Sequence, residues 1–264
     1  MKNSCDILVT NASVVIPKVG IVETDIAIDN GKVLSLKPPA SMQASRRIDA
    51  KGKYVIPGAI DPHVHYGVYT PIDEAARTES KSAAVGGVTT MMRMLRLYDD
   101  SYRSIEKQLA ASKGAHYIDY AIHASILKQS QLRDIPYLKE KGVNSLKIYM
   151  NLGADLNRIY MDLDPGEHPV KEGEVDMDDS LLSGIVEEGA KMHSTILIHA
   201  ENPSVCSEHM KRSREKGWRG CRHGQTAGRR RPRQKASARY PRWAAGSAPA
   251  SISSTSAQTR HSTR

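Results

Sequence analysis

One short stretch constrains the fold of this chain more than any other. Residues 54–65 read YVIPGAIDPHVH, an apolar run that leads into Asp61 and then into His63 and His65. This pattern predicts a buried strand with two imidazoles at its carboxyl end. Because residues i and i+2 of a strand point to the same side, both side chains could reach one metal ion. For a lone His-x-His, two histidines that only hydrogen-bond would be the favoured interpretation, so the metal hypothesis depends on further ligands elsewhere in the chain.

The residues before this stretch predict a small β-sheet unit. Apolar, β-branched segments cover residues 6–10 and 13–17, with Asn11-Ala12 between them. Residues 24–29 and 32–36 flank Asn30-Gly31, a dipeptide typical of two-residue hairpin turns.

From residue 54 onward, strand-like segments alternate with helical ones. The predicted strands are 54–61, 88–92, 118–124, 145–150 and 196–200, and the predicted helices lie near 73–85, 101–113, 130–141 and 178–192. This alternation favours an α/β fold with parallel strands and crossover helices. We interpret the polar residues 151–177 as a loop. In parallel α/β folds of this kind, the chemistry lies at the carboxyl ends of the strands.

Further polar residues lie on these predicted strands. Lys147 interrupts the apolar segment 145–150, and His199 follows the apolar residues 196–198. A lysine in a buried strand is costly unless it is neutralised or used. Such a lysine either reaches solvent or a carboxylate, or it is deprotonated and takes part in chemistry. His123 also ends a predicted strand, where packing or a hydrogen bond would explain it.

Four motifs in this order resemble those of the cyclic amidohydrolases, which include dihydropyrimidinase, hydantoinase, allantoinase and dihydroorotase. The motifs are Pro57-Gly58-x-Ile60-Asp61-x-His63-x-His65, Gly86-Gly87-Val88-Thr89-Thr90, Ser145-Leu146-Lys147 and Ile198-His199-Ala200-Glu201-Asn202. The resemblance covers about residues 5–211. It implies a partial TIM-type (β/α) barrel of the metal-dependent hydrolase kind, preceded by a small β-sandwich segment. Residues 1–53 would belong to the sandwich, 54–211 would form the first five βα units, and 212–264 would be a separate tail.

The resemblance also assigns roles to individual residues. His63 and His65 would bind one zinc ion, and His199 would bind a second. Lys147, carboxylated by carbon dioxide, would be the catalytic bridge between the two ions. Asp61, Glu201 and Asn202 would orient these ligands without binding the metal themselves. The implied reaction is the hydrolytic opening of a cyclic amide or ureide by a hydroxide that two zinc ions activate.

Two departures from the family pattern bear on the substrate. Dihydroorotases usually carry an arginine two residues after the second histidine, where this chain has Gly67. Hydantoinases and dihydropyrimidinases usually carry a tyrosine five residues after the lysine, where this chain has Leu152, and Tyr149 could replace it in contacting the substrate. We therefore favour a dihydropyrimidinase- or hydantoinase-like hydrolase, with allantoinase and dihydroorotase as alternatives.

The C-terminal tail differs in composition from the rest of the chain. Residues 212–264 contain 14 Lys or Arg and one acidic residue, whereas the preceding residues contain 24 basic and 28 acidic ones. The tail has too few apolar residues to form a core, so we expect it to be disordered. Reading residues 252–258 in a shifted frame permits apolar-apolar-His-apolar-Ser-Thr, which resembles the family's fourth-ligand motif. We therefore interpret the tail as a frameshift product that lacks the fourth histidine and the late aspartate; the alternative is a natural basic, disordered tail.

These observations lead to further expectations and alternatives. We expect the 264-residue chain to be an inactive fragment of an enzyme that is cytoplasmic, homo-oligomeric when intact, and acts on a small cyclic amide. Three sparse cysteines and the absence of a long apolar run argue against a disulfide framework and a membrane partner. The alternatives are a non-catalytic family member, and a nucleic-acid binder that stacks Trp218, Tyr240 and Trp243 on bases. We rank nucleic-acid binding lowest, because composition alone supports it.

Overall fold

The computed structural model describes residues 3–152, 157–175 and 177–217, together with one strand at Ile252–Ser254. It divides into two compact units, Met1–Ala59 and Ile60–Arg264. The strands in chain order are β1 (Ser4–Ile16), β2 (Gly20–Asp29), β3 (Lys32–Ser35), β4 (Gln43–Asp49), β5 (Tyr54–Val55), β6 (Ala59–Val64), β7 (Val88–Leu95), β8 (Asp119–Ser125), β9 (Ser145–Tyr149), β10 (Arg158–Tyr160), β11 (Glu172–Glu174), β12 (Thr195–His199) and β13 (Ile252–Ser254). The α-helices are α1 (Ile72–Val85), α2 (Ile105–Ser112), α3 (Ile135–Glu140), α4 (Asp179–Lys191) and α5 (Pro203–Glu215).

The first unit is a five-stranded sheet in the order β3-β2-β1-β4, with β5 also paired to β1. Strand β1 is continuous where two strands were predicted. Its register with β2 shifts between Val9 and Ala12, and Asn11 has a φ of +54°. The break predicted at Asn11 is therefore a bulge within one strand.

The predicted hairpin of this unit is confirmed. Strands β2 and β3 pair antiparallel across Asn30 and Gly31, whose φ angles are +49° and +70°. Two successive left-handed residues are what a type I′ turn requires, and the Asn-Gly pair adopts them readily. Strand β4 was not predicted, because its residues are mostly polar and exposed.

The second unit contains a six-stranded sheet in the order β13-β12-β9-β8-β7-β6. The registered pairs from β7 to β13 are parallel, which confirms the predicted α/β fold. The strand predicted at 54–61 is in fact two strands, since β5 joins the first sheet and β6 the second. Pro57 lies between them and lacks the N–H that a continuous ladder would need.

The predicted helices are present, with different starting points. The segments at 101–113 and 130–141 each begin with a 3₁₀ turn before α2 and α3. The Asp178 carboxylate accepts a hydrogen bond from the Leu181 N–H at 2.7 Å and so caps α4. None of the helices in the described part of the chain is long and apolar enough to cross a membrane.

The prediction of a loop over residues 151–177 was wrong in part. Strands β10 and β11 form a short antiparallel hairpin within it. The pairing is supported by ion pairs from Arg158 to Glu172 at 3.7 Å and to Glu174 at 3.2 Å across the hairpin. Because these strands carry little apolar alternation, the sequence pattern did not reveal them.

Two elements of regular structure extend into or lie within residues 212–264, which the sequence analysis assigned to the tail. Helix α5 continues to Glu215, beyond the predicted boundary at 212. Strand β13 pairs in parallel with β12, with Ile252 opposite Ile196, although no strand was expected there. A sheet edge offers backbone groups to any sequence, which explains why composition did not exclude this pairing. Residues 218–251 and 255–264 lie outside the described residues, as do the predictions made for them.

Candidate metal and substrate site

The site is built where β6, β9 and β12 end. Strand β9 pairs with β12 so that Lys147 lies opposite Leu197 and Tyr149 opposite His199. His63 lies near the end of β6, and His65 comes directly after that strand. Because β9 and β12 pair in parallel, their carboxyl ends meet at the same edge of the sheet.

His63 and His65 form a close pair. Their Nε2 atoms are 3.2 Å apart, and the Asp61 carboxylate accepts a hydrogen bond from the His63 backbone N–H at 3.0 Å. Burial lowers the pKa of His63, and burial together with the positive charge of Arg96 lowers the pKa of His65 to about 4. Both imidazoles are therefore neutral at pH 7 and have lone pairs available for a metal ion.

Lys147 is completely buried. Its Nζ atom has no hydrogen-bond partner among the described residues and lies 5.0 Å from the centre of the Tyr149 ring. Burial lowers the pKa of Lys147 to about 8. Neither structural explanation for a lysine in a strand applies, since the amine does not reach solvent and has no ion pair within the described ranges. A buried, readily deprotonated amine is suited to reaction or ligation.

His199 is held by its neighbour Glu201. The His199 Nε2 atom lies 3.0 Å from a Glu201 carboxylate oxygen, and the ring is half-exposed. Asn202 has a different contact, because its side-chain oxygen accepts a hydrogen bond from the Val205 N–H at 3.0 Å and caps α5. Within the described ranges, no three side chains of the His, Cys, Asp or Glu type are arranged to hold a metal ion. The predicted ligand set therefore depends on Lys147.

His123 positions the strands of the site. Its Nε2–H donates to the Pro62 carbonyl at 3.0 Å, and its Nδ1 atom lies 2.6 Å from the Ser145 hydroxyl. Burial lowers the pKa of His123, consistent with a neutral ring that donates at one nitrogen and accepts at the other. The side chain thus connects β8 to β6, just before His63, and to β9, just before Lys147.

A cavity of about 500 Å³ opens beside these residues. It is lined by His65, Tyr66, Gly67, Val68, Tyr69, Thr70, Ala75, Glu79, Arg96, Tyr149, Asn151, Leu152, Arg158, Ile159, Tyr160 and His199. Burial raises the pKa of Tyr149 to about 12, so its phenol stays protonated and can donate a hydrogen bond. Leu152, at the position where a tyrosine was expected, is buried and supplies only apolar surface.

Among the polar residues of this cavity that sequence reasoning missed, Arg96 and Asn151 each have a buried side-chain atom without a partner within the described residues. Arg96 comes directly after β7 and is buried, and its Nε atom has no hydrogen-bond partner within the described residues. The Asn151 side-chain oxygen is likewise without a partner there. The signal for Arg96 was present, since a charge lies in the apolar run Met94-Leu95-Arg96-Leu97.

A parallel half-barrel with polar residues at the carboxyl ends of its strands defines a partial TIM-type barrel of the amidohydrolase kind. Solved structures agree with this assignment. The L-hydantoinase (dihydropyrimidinase) from Arthrobacter aurescens superimposes with a TM-score of 0.75 at 25% identity, covering 92% of this chain and 51% of that one. Dihydropyrimidinase from Brevibacillus agri gives a TM-score of 0.73 at 22% identity, over 94% of this chain and 51% of that one.

Sequence comparison indicates the same family. The chain is 32% identical to the L-hydantoinase of Paenarthrobacter aurescens over 209 residues, which are 76% of this chain and 41% of that protein. It is 29% identical to the D-hydantoinase of Rhizobium radiobacter over 206 residues, which are 75% of this chain and 40% of that protein. No protein-family model matches the sequence. The chain is thus similar in sequence to hydantoinases, and it spans about two fifths of the length of these two proteins.

Proposed function

We propose that the ends of β6, β9 and β12 form the metal-ligand part of a site that hydrolyses cyclic amides or ureides. The observation that carries this proposal is Lys147, a buried amine without a partner among the described residues, on a strand whose neighbour ends in His199. The names of the hydantoinase relatives support the substrate class. Within that class we favour a hydantoinase- or dihydropyrimidinase-like reaction.

The residues present fit a pair of zinc ions. His63 and His65 would hold one ion and His199 the other, with Lys147 contributing to both as a carbamate. To form it, the neutral Nζ lone pair attacks carbon dioxide, an N–C bond forms and one proton leaves the nitrogen. The carbamate carries a negative charge on two oxygens, which an ammonium group cannot offer to a cation. When bound, the metal ions would activate water and polarise the scissile carbonyl.

The chain's own residues would orient the substrate. His65, Tyr149 and His199 all line the cavity, so a ring bound there would contact both predicted ligand groups. The Tyr149 phenol, protonated at neutral pH, would donate a hydrogen bond to the oxygen on which negative charge develops. It would thereby replace the tyrosine that the family resemblance places at Leu152.

We propose further that the 264-residue chain does not catalyse turnover by itself. The fourth histidine and the aspartate that the resemblance requires have no recognisable counterpart in residues 212–264. The site of this chain would then bind metal without completing the reaction. A non-catalytic family member would instead show no metal binding.

Metal analysis of the purified chain tests the ligand set. We expect zinc to bind, and we expect His63→Asn and Lys147→Met to weaken binding at least tenfold. His193→Asn is a matched control, since His193 is exposed and has a φ of +51°, which asparagine tolerates. Labelled ¹³CO₂ should give a carbamate signal that Lys147→Met removes. Zinc binding that is unaffected by both site variants would contradict the proposal, and rapid hydrolysis of hydantoin by the chain would contradict its inactivity.

A further inference from the structure

We propose that Arg96 makes the cavity a binding site for an anionic group, so that the preferred ligand is a cyclic amide carrying a carboxylate outside its ring. This inference rests on the proposed function for the ring, whereas anion binding rests on Arg96 itself. Arg96 lines the same cavity as His65 and His199. A group held there would therefore be attached to a ring lying over the predicted ligands.

The backbone of Arg96 is fixed on both sides by one residue. Its N–H donates to the Asp162 carboxylate at 2.7 Å, and its carbonyl accepts from the Asp162 N–H at 3.0 Å. The arginine comes directly after β7, so its main chain is anchored at the carboxyl end of the sheet. Its guanidinium is thus positioned before any ligand arrives, which limits the entropy lost on binding.

The Arg96 guanidinium retains hydrogen-bonding capacity. The residue is 8% exposed, and its Nε atom has no partner among the described residues. Its Nη2 atom lies 3.5 Å from the Asp162 Oδ1 atom, which leaves room for a better acceptor. A buried donor without an acceptor is unfavourable, and a carboxylate presents two oxygens that match the planar arginine fork.

Charge balance points to an anion as the acceptor. The Asp162 carboxylate also faces Arg93 at 3.4 Å, so one carboxylate serves two guanidinium groups. The other polar partners of Arg93 are neutral, namely the Tyr66 carbonyl at 2.9 Å and the Gln108 side-chain oxygen at 3.0 Å. Among the residues that the structure describes, at least one positive charge of this buried group is therefore uncompensated, and Arg96 is its member at the cavity wall.

Among the described residues, the other charged side chains at the cavity do not neutralise the positive charge of Arg96. Arg158 is exposed and is paired with Glu172 and Glu174 of its own hairpin. Glu79 is exposed on α1 and forms no ion pair with Arg96 in the part of the chain that the structure describes. The buried Asn151 side-chain oxygen lacks a partner there and would suit a ring N–H. Binding of an anionic ligand group therefore depends on Arg96.

A matched pair of ligands tests the proposal on the full zinc-loaded chain. The probes are 5-carboxymethylhydantoin and its neutral carboxamide analogue, with glutarate as a carboxylate without a ring, and binding is measured by calorimetry. We expect the carboxylate to bind about tenfold more tightly than the carboxamide. Arg96→Gln should abolish this preference, whereas the control Arg158→Gln, at the same cavity, should retain it. Arg96→Gln leaves Arg93 and Asp162 as a balanced pair, so we expect it to fold.

Each outcome separates the two proposals. If neither hydantoin binds but glutarate binds in an Arg96-dependent way, the anion site stands and the cyclic-amide function fails. If both hydantoins bind equally to the unaltered chain, the cyclic-amide function stands and the anion site is refuted, whether or not the variants fold. A carboxylate preference that survives in Arg96→Gln also refutes it, because the metal ions would then be the anion's partner.

Discussion

Substitution of Gly67 tests how closely the side chain of Arg93 packs against the backbone at this site. Its φ is +88°, and a Cβ atom added there would lie 2.3 Å from the Nη2 atom of Arg93. Gly67→Ala therefore meets two separate penalties. A left-handed backbone costs a non-glycine residue about 1–2 kcal/mol. The methyl group would also displace the buried Arg93 guanidinium from Asp162, which lies 3.4 Å from the same Nη2 atom. Losing a charged contact costs about 1.5–3 kcal/mol more.

Gly87 provides a matched control for this substitution. Its φ is +85°, and a Cβ atom there would meet nothing within 4 Å. We expect Gly87→Ala to lower the free energy of unfolding by about 1–2 kcal/mol, and Gly67→Ala by about 2.5–5 kcal/mol, in urea denaturation. In a double-mutant cycle with Arg93→Met, the excess at Gly67 should disappear. Equal losses for the two alanine variants, or an excess that persists without Arg93, would refute the reasoning.

Two further predictions concern buried polar groups. Asp162→Asn should lower the free energy of unfolding by about 3–5 kcal/mol, because Arg93 and Arg96 would lose their shared carboxylate. A loss under about 1 kcal/mol in urea denaturation would contradict this prediction. Burial lowers the pKa of His116 below its ordinary 6.5. The unfolded chain then binds a proton first as the pH falls below 6.5, so stability should decrease there. His116→Asn should weaken that decrease in denaturation measured from about pH 7 to about pH 5, and an unchanged slope would contradict it.

The sequence predicted the strands and candidate ligands of the site better than the residues that line its cavity. The alternation of strands and helices located the parallel strands, because each apolar run and its flanking glycines are local features. His63, His65 and His199 were placed at strand ends, and Lys147 within a strand, for the same reason, and their roles as ligands remain a prediction. The β10–β11 hairpin could not be recognised, since its pairing depends on ion pairs between residues 158 and 174, which periodicity does not record.

The position of Gly67 shows how a departure in one motif can result from a contact elsewhere. The sequence indicated only that the arginine expected of a dihydroorotase is missing there. In the structure, the guanidinium of Arg93 occupies the space that a side chain at residue 67 would enter. Two arginines could not share it, so the glycine is a packing requirement as well as a clue to the substrate. Arg96, three residues further along, would then be the cation at the cavity wall.

A charge within an apolar run was the signal that identified Lys147, and the same signal applies to Arg93 and Arg96. The three residues differ in the partner that each side chain contacts. Arg93 and Arg96 meet the carboxylate of Asp162, which lies more than sixty residues away in the chain, whereas Lys147 meets none among the described residues. A single shared carboxylate cannot balance two guanidinium groups, so Arg96 resembles Lys147 in having unused capacity. Only the three-dimensional placement of Asp162 reveals that difference, and it is the basis for the packing role of Arg93 and the proposed ligand binding at Arg96. Metal bridging by Lys147 remains a prediction from the family resemblance.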